Sequence, residues 1–133
     1  MVDMQIDTIF CDQVRNEINS KHILVGVYPA DYISVPVLPG SVYLSTYTRV
    51  RGLPYGPHQF QVRFHNSTDP LTPTAVFDTS ADVTQSELPT TLVAGPIALI
   101  VETPGFVTVR IQIIDPFGFS AVFDAGRVFI AKA

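Results

Sequence analysis

The chain has 133 residues and a formal net charge of −4, with 47% hydrophobic and 15% charged residues. This length suits a single domain, and the high hydrophobic share excludes an intrinsically disordered chain. Nucleic-acid-binding domains are usually basic, so the negative charge argues against a nucleic-acid partner. We therefore expect one domain spanning residues 1–133.

The residue types favour strands over helices. Val, Ile and Thr account for 40 residues, whereas Glu and Lys account for only 5. β-branched side chains fit a pleated sheet, and Glu and Lys are the usual residues of exposed helix faces. The 11 Pro and 8 Gly divide the chain into short segments. We predict seven to nine strands in a single-domain antiparallel β-sandwich of immunoglobulin-like connectivity, with a small β-barrel as the alternative.

The predicted elements begin with a strand over residues 5–10, where apolar and polar side chains alternate. Residues 12–19 are the one stretch with helical character, because Asp12 suits an N-cap and Val14 and Ile18 are four residues apart. Residues 21–28 predict a second strand, and residues 32–35 predict a short edge strand between prolines.

Residues 42–51 and 59–65 both alternate with period two, and the segment between them is rich in Gly and Pro. We predict that they form a hairpin in which Arg51 lies opposite Gln59 and Arg49 lies opposite Gln61. The outward face of this hairpin would gather eight polar and aromatic side chains: Tyr43, Tyr47, Arg49, Arg51, Gln59, Gln61, Arg63 and His65.

This face has two interpretations. Tyr and Arg are common in binding hot spots, and Arg binds carboxylate and phosphate groups, so the face can be a binding patch. It can equally be a solvated sheet face whose arginines pair with neighbouring aspartates. The residues assigned to the binding patch are Tyr43, Tyr47, Arg49, Arg51, Gln61 and Arg63.

In the second half of the chain, residues 74–79 predict a strand and residues 82–89 a polar turn region. Residues 97–102 are nearly all apolar, which predicts a central strand. Residues 107, 109, 111 and 113 would face inward from the next strand, and residues 115–118 have the residue order of a type I turn. The last strand is predicted over about residues 119–131.

The last two predicted strands suggest a self-association surface. If Ile111 pairs with Val122, four phenylalanines fall on one outward face: Phe106, Phe119, Phe123 and Phe129. Such a face is too apolar for water, and a symmetric homodimer would bury it on both copies at once. Alternatively, a bulge near residues 124–126 changes the register and buries part of the set.

The sequence contains no recognisable catalytic or metal-binding motif. Cys11 is the single cysteine, so an internal disulfide is impossible. We expect Cys11 to be a small buried hydrophobic residue. The three histidines, His22, His58 and His65, lack the spacing of metal ligands. We expect them to be surface residues at strand ends or in loops. We therefore predict that the protein is not an enzyme and uses no cofactor or metal.

No apolar run approaches the roughly 18 residues of a transmembrane helix. The N-terminal residues 1–4 have neither the basic region nor the apolar core of a signal peptide. We therefore expect a cytoplasmic protein with no membrane partner.

The run Cys11-Asp12-Gln13-Val14-Arg15-Asn16-Glu17, followed by Lys21 and Leu24-Val25-Gly26-Val27-Tyr28, resembles the opening of a family of small uncharacterised bacterial proteins. Its members begin with a Cys-Asp-x-Val-Arg-x-Glu pattern and continue into a Gly-Val-Tyr strand. The resemblance implies a bacterial origin and a stand-alone β-rich domain that ends in a Gly-led hairpin, which residues 104–113 match loosely. It implies no catalytic residues.

Together these observations predict a cytoplasmic β-sandwich that binds another protein or a second copy of itself. A small-ligand or carbohydrate-binding module, with Tyr43, Tyr47 and the arginines as its platform, is the second function class. An enzyme of unrecognised type is the third.

Overall fold

The computed structural model describes residues 4–133, so residues 1–3 of the segment tested for a signal peptide lie outside the described residues. The strands are β1 Gln5–Asn16, β2 His22–Val27, β3 Tyr32–Val35, β4 Gly40–Arg51, β5 Gly56–Asn66, β6 Ala75–Val83, β7 Thr90–Val101, β8 Gly105–Ile114 and β9 Ser120–Lys132. Within residues 4–133, no helix is long and apolar enough to cross a membrane.

The strands form two packed sheets, which confirms the predicted β-sandwich. Sheet A has the order β2-β1-β4-β7, and sheet B has the order β3-β9-β8-β5-β6. All pairs are antiparallel except β3, which runs parallel to β9. The two sheets do not close into one barrel. The immunoglobulin-like connectivity stays a prediction.

The core lies between the inner faces of the two sheets, because alternation along each strand directs every second side chain inward. Sheet A contributes Phe10, Leu44 and Val50, all buried. Sheet B contributes Phe64 and the predicted inward series of β8, which is buried at Val107, Val109, Ile111 and Ile113.

The predicted helical stretch at residues 12–19 is wrong. β1 continues to Asn16, and only Ile18–Ser20 forms a single 3-10 turn. Gln13 and Arg15 pair across the hairpin with β2. These pairings prevail because a helix of about two turns is marginal without tertiary support.

The prediction that residues 97–102 form a central strand is also wrong. Most of them belong to β7, which is an edge strand of sheet A. Leu99 and Val101 face the core, whereas Ile100 between them is 58% exposed. Continuous hydrophobicity therefore does not mark burial on both faces here.

Residues 42–51 and 59–65 form strands as predicted, but they do not form a hairpin. β4 pairs with β1 and β7, and β5 pairs with β6 and β8. The predicted opposition of Arg51 and Gln59 is therefore wrong. An alternating strand satisfies its apolar face equally well by sheet-on-sheet packing, and here Phe60 and Phe64 are buried from one sheet and Leu44 from the other.

The last hairpin adopts the alternative register, with a bulge. Val109 lies opposite Gly126 and Arg110 lies opposite Asp124, which leaves Ala125 as the extra residue. Gly126 has a φ of +149°, a conformation that a residue with a side chain rarely adopts. The bulge therefore fixes which side chains of β9 face the core.

The shifted register breaks up the predicted phenylalanine patch. Ile111 pairs with Phe123, which packs against the core, and Val122 is outward and exposed. Phe106 and Phe129 lie opposite each other on the outer face of sheet B, and Phe119 lies in the loop before β9. The four side chains therefore do not share one face as predicted, and the homodimer stays a prediction.

Candidate functional site

The residues predicted to form one binding patch lie on two different sheets. Tyr43, Tyr47, Arg49 and Arg51 belong to β4 of sheet A, and Gln61 and Arg63 belong to β5 of sheet B. Both groups point away from the core, so they occupy opposite sides of the sandwich. Their role in binding stays a prediction for each group separately.

A chain of side-chain hydrogen bonds crosses the outer face of sheet B. Arg63 Nε donates to Gln61 Oε1 at 2.6 Å, and Arg63 Nη2 donates to Gln112 Oε1 at 2.6 Å. Gln61 Nε2 donates to Asp78 Oδ1, and Gln112 Nε2 donates to Ser120 Oγ. Arg63 therefore links four strands of sheet B and has a structural role.

The loop that follows β5 folds back over this face. Arg110 Nη1 donates to the Pro70 carbonyl at 3.0 Å, and Arg110 Nε forms an ion pair with Asp124 Oδ1 at 3.0 Å. Thr74 N donates to the Phe64 carbonyl. These contacts hold residues 67–74 against the sheet.

His65 is buried on this side of the sheet, so its prediction as a surface residue is wrong. Neither ring nitrogen has a hydrogen-bond partner. Burial and the guanidinium groups of Arg110 and Arg63 lower the pKa of His65, against the opposing effect of Asp69 and Asp124. A neutral ring is the form that this environment favours.

The outer face of sheet A is less constrained. Within residues 4–133, no side-chain hydrogen bond or ion pair joins Arg49 or Arg51 to a neighbour. Tyr43 is 67% exposed, whereas Tyr47 is half-buried against His22, with ring centroids 5.5 Å apart. The arginine–aspartate pairing interpretation therefore does not hold for Arg49 and Arg51.

Three aromatic side chains on sheet B pack on one another. Tyr32 stacks on Phe129 with ring centroids 5.8 Å apart, and Phe129 meets Phe106 edge-on at 5.0 Å. The Arg127 guanidinium lies 4.0 Å from the Phe106 ring centroid, in a cation–π contact. These mutual contacts already use much of the aromatic surface that a ligand would need.

Three loops converge at one end of the sandwich. The loops at residues 52–55, 84–89 and 115–119 all lie beside the start of β5, as the register of Gly56 with Val83 and of Ile114 with Ser120 requires. We call this region the loop end. Gly56 has a φ of +122°, and a Cβ there would lie 2.8 Å from Pro116, so glycine permits the close approach of two loops.

Four large apolar side chains project from the loop end. Tyr55, Phe117 and Phe119 are each about three-quarters exposed, and Leu88 is more than half exposed. The 115–119 turn that carries two of them is rigid, because Asp115 Oδ1 accepts hydrogen bonds from the backbone N–H of Phe117 and Phe119, each at 2.9 Å. The backbone that carries Phe117 and Phe119 is therefore held in place.

An open cleft of about 650 Å³ lies beside the 115–119 turn, where β5 begins and β6 and β8 end. Its polar lining comes from Gln59, Ser80, Asp82 and Asp115. A smaller apolar cleft of about 180 Å³ lies beside it and is lined by Leu53, Phe119 and Phe123 among others. Both clefts have His58 as part of their walls.

His58 is buried, which corrects its prediction as a surface residue. Its Nδ1 lies 3.0 Å from the Gly56 carbonyl oxygen, and a carbonyl can only accept, so Nδ1 carries the proton. Its Nε2 then presents an unused lone pair and has no partner. The ring stacks on Phe60, with centroids 6.0 Å apart.

Cys11 is fully buried, as predicted. Its Sγ lies 3.6 Å from the Gln13 carbonyl oxygen, and burial raises the pKa of the thiol. Nearby, Tyr28 donates to Asp12 Oδ1 at 2.6 Å, and this hydrogen bond raises the pKa of Tyr28 to about 12. Both groups are protonated at neutral pH, so neither is poised as a nucleophile.

Sequence reasoning selected Phe119 for self-association but missed Tyr55, Phe117 and His58 at the loop end. The available signal was the position of Tyr55 and Phe117 inside turns rich in Gly and Pro, where a large aromatic side chain is hard to bury. No group of three or more potential metal ligands occurs within residues 4–133.

Comparison with models of known protein families and with curated proteins gave no match in either case.

Proposed function

We propose that the protein is a non-enzymatic binding module and that its loop end contacts another protein. The observation that carries this proposal is the exposure of Tyr55, Phe117 and Phe119 at the loop end, with Phe117 and Phe119 on a hydrogen-bonded turn. Large aromatic side chains dominate binding hot spots because they bury much area at a small cost in conformational entropy.

The distribution of the other phenylalanines strengthens the proposal. Phe10, Phe60 and Phe64 are buried, and Phe77 and Phe123 pack against the core. Phe106 and Phe129 contact each other. Phe117 and Phe119 are the two that are three-quarters exposed, and they sit two residues apart.

Selection of peptides from a displayed random library tests this proposal. Peptides selected on the unmodified protein should bind the double variant Phe117→Ser with Phe119→Ser at least about tenfold more weakly. The matched control is Tyr43→Ser, which removes an equally exposed ring from the outer face of sheet A and should leave binding unchanged. Selected peptides that bind the double variant as well as the unmodified protein would place the binding surface elsewhere.

A second candidate function is the binding of a small polar ligand in the cleft. Gln59, Ser80 and Asp82 line it. A ligand rich in hydroxyl or amine donors suits this lining. Thermal denaturation in a panel of sugars, polyols and amines tests it, because a ligand in excess raises the melting temperature. A Gln59→Ala variant should lose any such shift.

A further inference from the structure

A two-sheet sandwich has four edge strands, and three of those in this molecule are protected against pairing with another chain. β3 has only four residues and is followed by Pro36. β6 carries Asp78 and Asp82, and β7 is interrupted at Pro96, where its register with β4 shifts. Short length, charge, proline and bulges are the usual means of blocking edge-to-edge association.

β2 is the remaining edge, and it carries no charge or proline; its one irregular residue is Gly26, with a φ of +67°. His22–Val27 contains no Asp, Glu, Lys, Arg or Pro. Ile23, Val25 and Val27 pair with Arg15, Gln13 and Cys11 and so share one side of the β1–β2 ribbon. They are 46%, 36% and 43% exposed, which leaves a row of β-branched side chains in water along an open strand.

The other side of the ribbon is anchored to the body of the protein. Leu24 and Val14, which pair with each other, are half-buried. The His22 ring meets the ring of Tyr47 on β4 edge-on. Along β1, however, His22 pairs with Asn16, whereas Tyr47 pairs with Ile9, seven residues earlier. The ribbon therefore bends back over sheet A, and the β2 edge is held in place.

The charges around β2 specify the direction of pairing. Lys21 stands at its start beside Arg15 and Glu17, which leaves a net positive charge there. Asp12 lies at its other end, where it accepts a hydrogen bond from the Tyr28 hydroxyl. Antiparallel pairing of two copies brings Lys21 of each copy toward Asp12 of the other. Parallel pairing would bring like charges together, at a cost.

We propose that β2 pairs antiparallel with β2 of a second copy of this chain, so that two four-stranded sheets join into one. The pairing satisfies backbone groups on both strands and places the two rows of Ile and Val side by side. It uses a surface separate from the loop end, so dimer formation leaves the proposed partner site free. Because a six-residue strand buries a small area, the dimer is reversible.

Sedimentation velocity over a series of concentrations tests the proposal. The unmodified protein should dimerise, and Val25→Lys should raise the dissociation constant of the dimer at least about tenfold, since it sets two like charges near the twofold axis. Val76→Lys is the matched control: Val76 is a similarly exposed valine on the β6 edge, and its replacement should leave the dimer intact.

Two results would overturn the proposal: a monomer at millimolar concentration, or a dimer that survives Val25→Lys. If Val25→Lys disturbs folding, judged by circular dichroism, Ile23→Lys replaces it with the same expected loss of dimer. The double variant Phe117→Ser with Phe119→Ser should dimerise normally. A loss of dimer in that variant would place self-association at the loop end instead.

Discussion

The outer faces of the two sheets differ in how their polar side chains are held. On sheet B, Arg63 bridges Gln61 and Gln112, and Arg110 ties Asp124 to the loop at residues 67–74. On sheet A, Arg49 and Arg51 extend from β4 without such bonds to other described residues. The two arginine groups have the same alternating sequence context, yet only the group on sheet B is bonded into the structure.

Neighbouring strands place polar residues opposite both groups of arginines, but only those of sheet B form side-chain hydrogen bonds. β5 lies between β6 and β8, which place Asp78 and Gln112 beside its outward polar residues. β4 pairs with β1, which places Asp7 opposite Arg49 and Gln5 opposite Arg51, but among residues 4–133 no side-chain hydrogen bond or ion pair joins either pair. An outward arginine becomes structural only where the adjoining strands supply acceptors at the right distance.

The largest expected effect on stability concerns β9, where the adjacent residues Val122 and Phe123 face opposite sides of sheet B. We expect Phe123→Asp to lower the free energy of unfolding by about 3 kcal/mol or more, because it places a carboxylate against the core and removes a packed ring. The adjacent Val122→Asp, on the exposed side of β9, should cost less than about 0.5 kcal/mol. Urea denaturation of both variants measures the difference, and equal losses would contradict the bulged register.

A direct test of the comparison replaces one arginine on each face. Arg63→Ala should cost about 1 to 2 kcal/mol in urea denaturation, since it leaves Gln61 and Gln112 without their shared donor. Arg49→Ala combined with Arg51→Ala should cost under about 0.5 kcal/mol, because neither side chain has a partner to lose. A larger loss from the sheet A pair than from Arg63→Ala would reverse our assignment of the two faces.

One of the two buried histidines of sheet B, His65, makes stability depend on pH. The unfolded chain binds a proton at His65 near the ordinary pKa of 6.5, whereas the folded pKa is lowered. His65 therefore stabilises the fold fully above that ordinary value, and the contribution falls as the pH drops below it. When the pH falls from about 7.5 to about 5.5, the free energy of unfolding should decrease less in His65→Gln than in the unmodified protein. If His65→Gln has an unchanged pH profile, His65 is not the group that links folding to protons in this range.

The smallest effect on stability is expected at Cys11, the one cysteine of sheet A. Cys11→Ser should keep the fold, because a hydroxyl can still donate to the Gln13 carbonyl that the thiol reaches. In the unmodified protein, the buried thiol should react with a maleimide at least about 100-fold more slowly in buffer than in denaturant. Fast labelling in buffer would show that the β1–β2 ribbon opens readily.

Much of the fold could be predicted from the sequence because it depends on local pattern. The alternation in residues 5–10, 42–51 and 107–113 required strands with one apolar face, and the structure has strands at all three places. The Asp115-Pro116-Phe117-Gly118 turn was also local, and Gly118 N donates to the Asp115 carbonyl as expected. The exposure of the Phe117 ring could also have been predicted from this turn.

The partners of each strand were decided only by the tertiary structure. Alternation requires an apolar face to be covered, but it does not state whether a hairpin neighbour or a facing sheet covers it, so β4 and β5 could not be assigned to separate sheets. One extra residue at Ala125 reversed the orientation of Phe123. The burial of His58 and His65 and the convergence of three loops likewise depend on contacts between segments far apart in sequence, which no local pattern encodes.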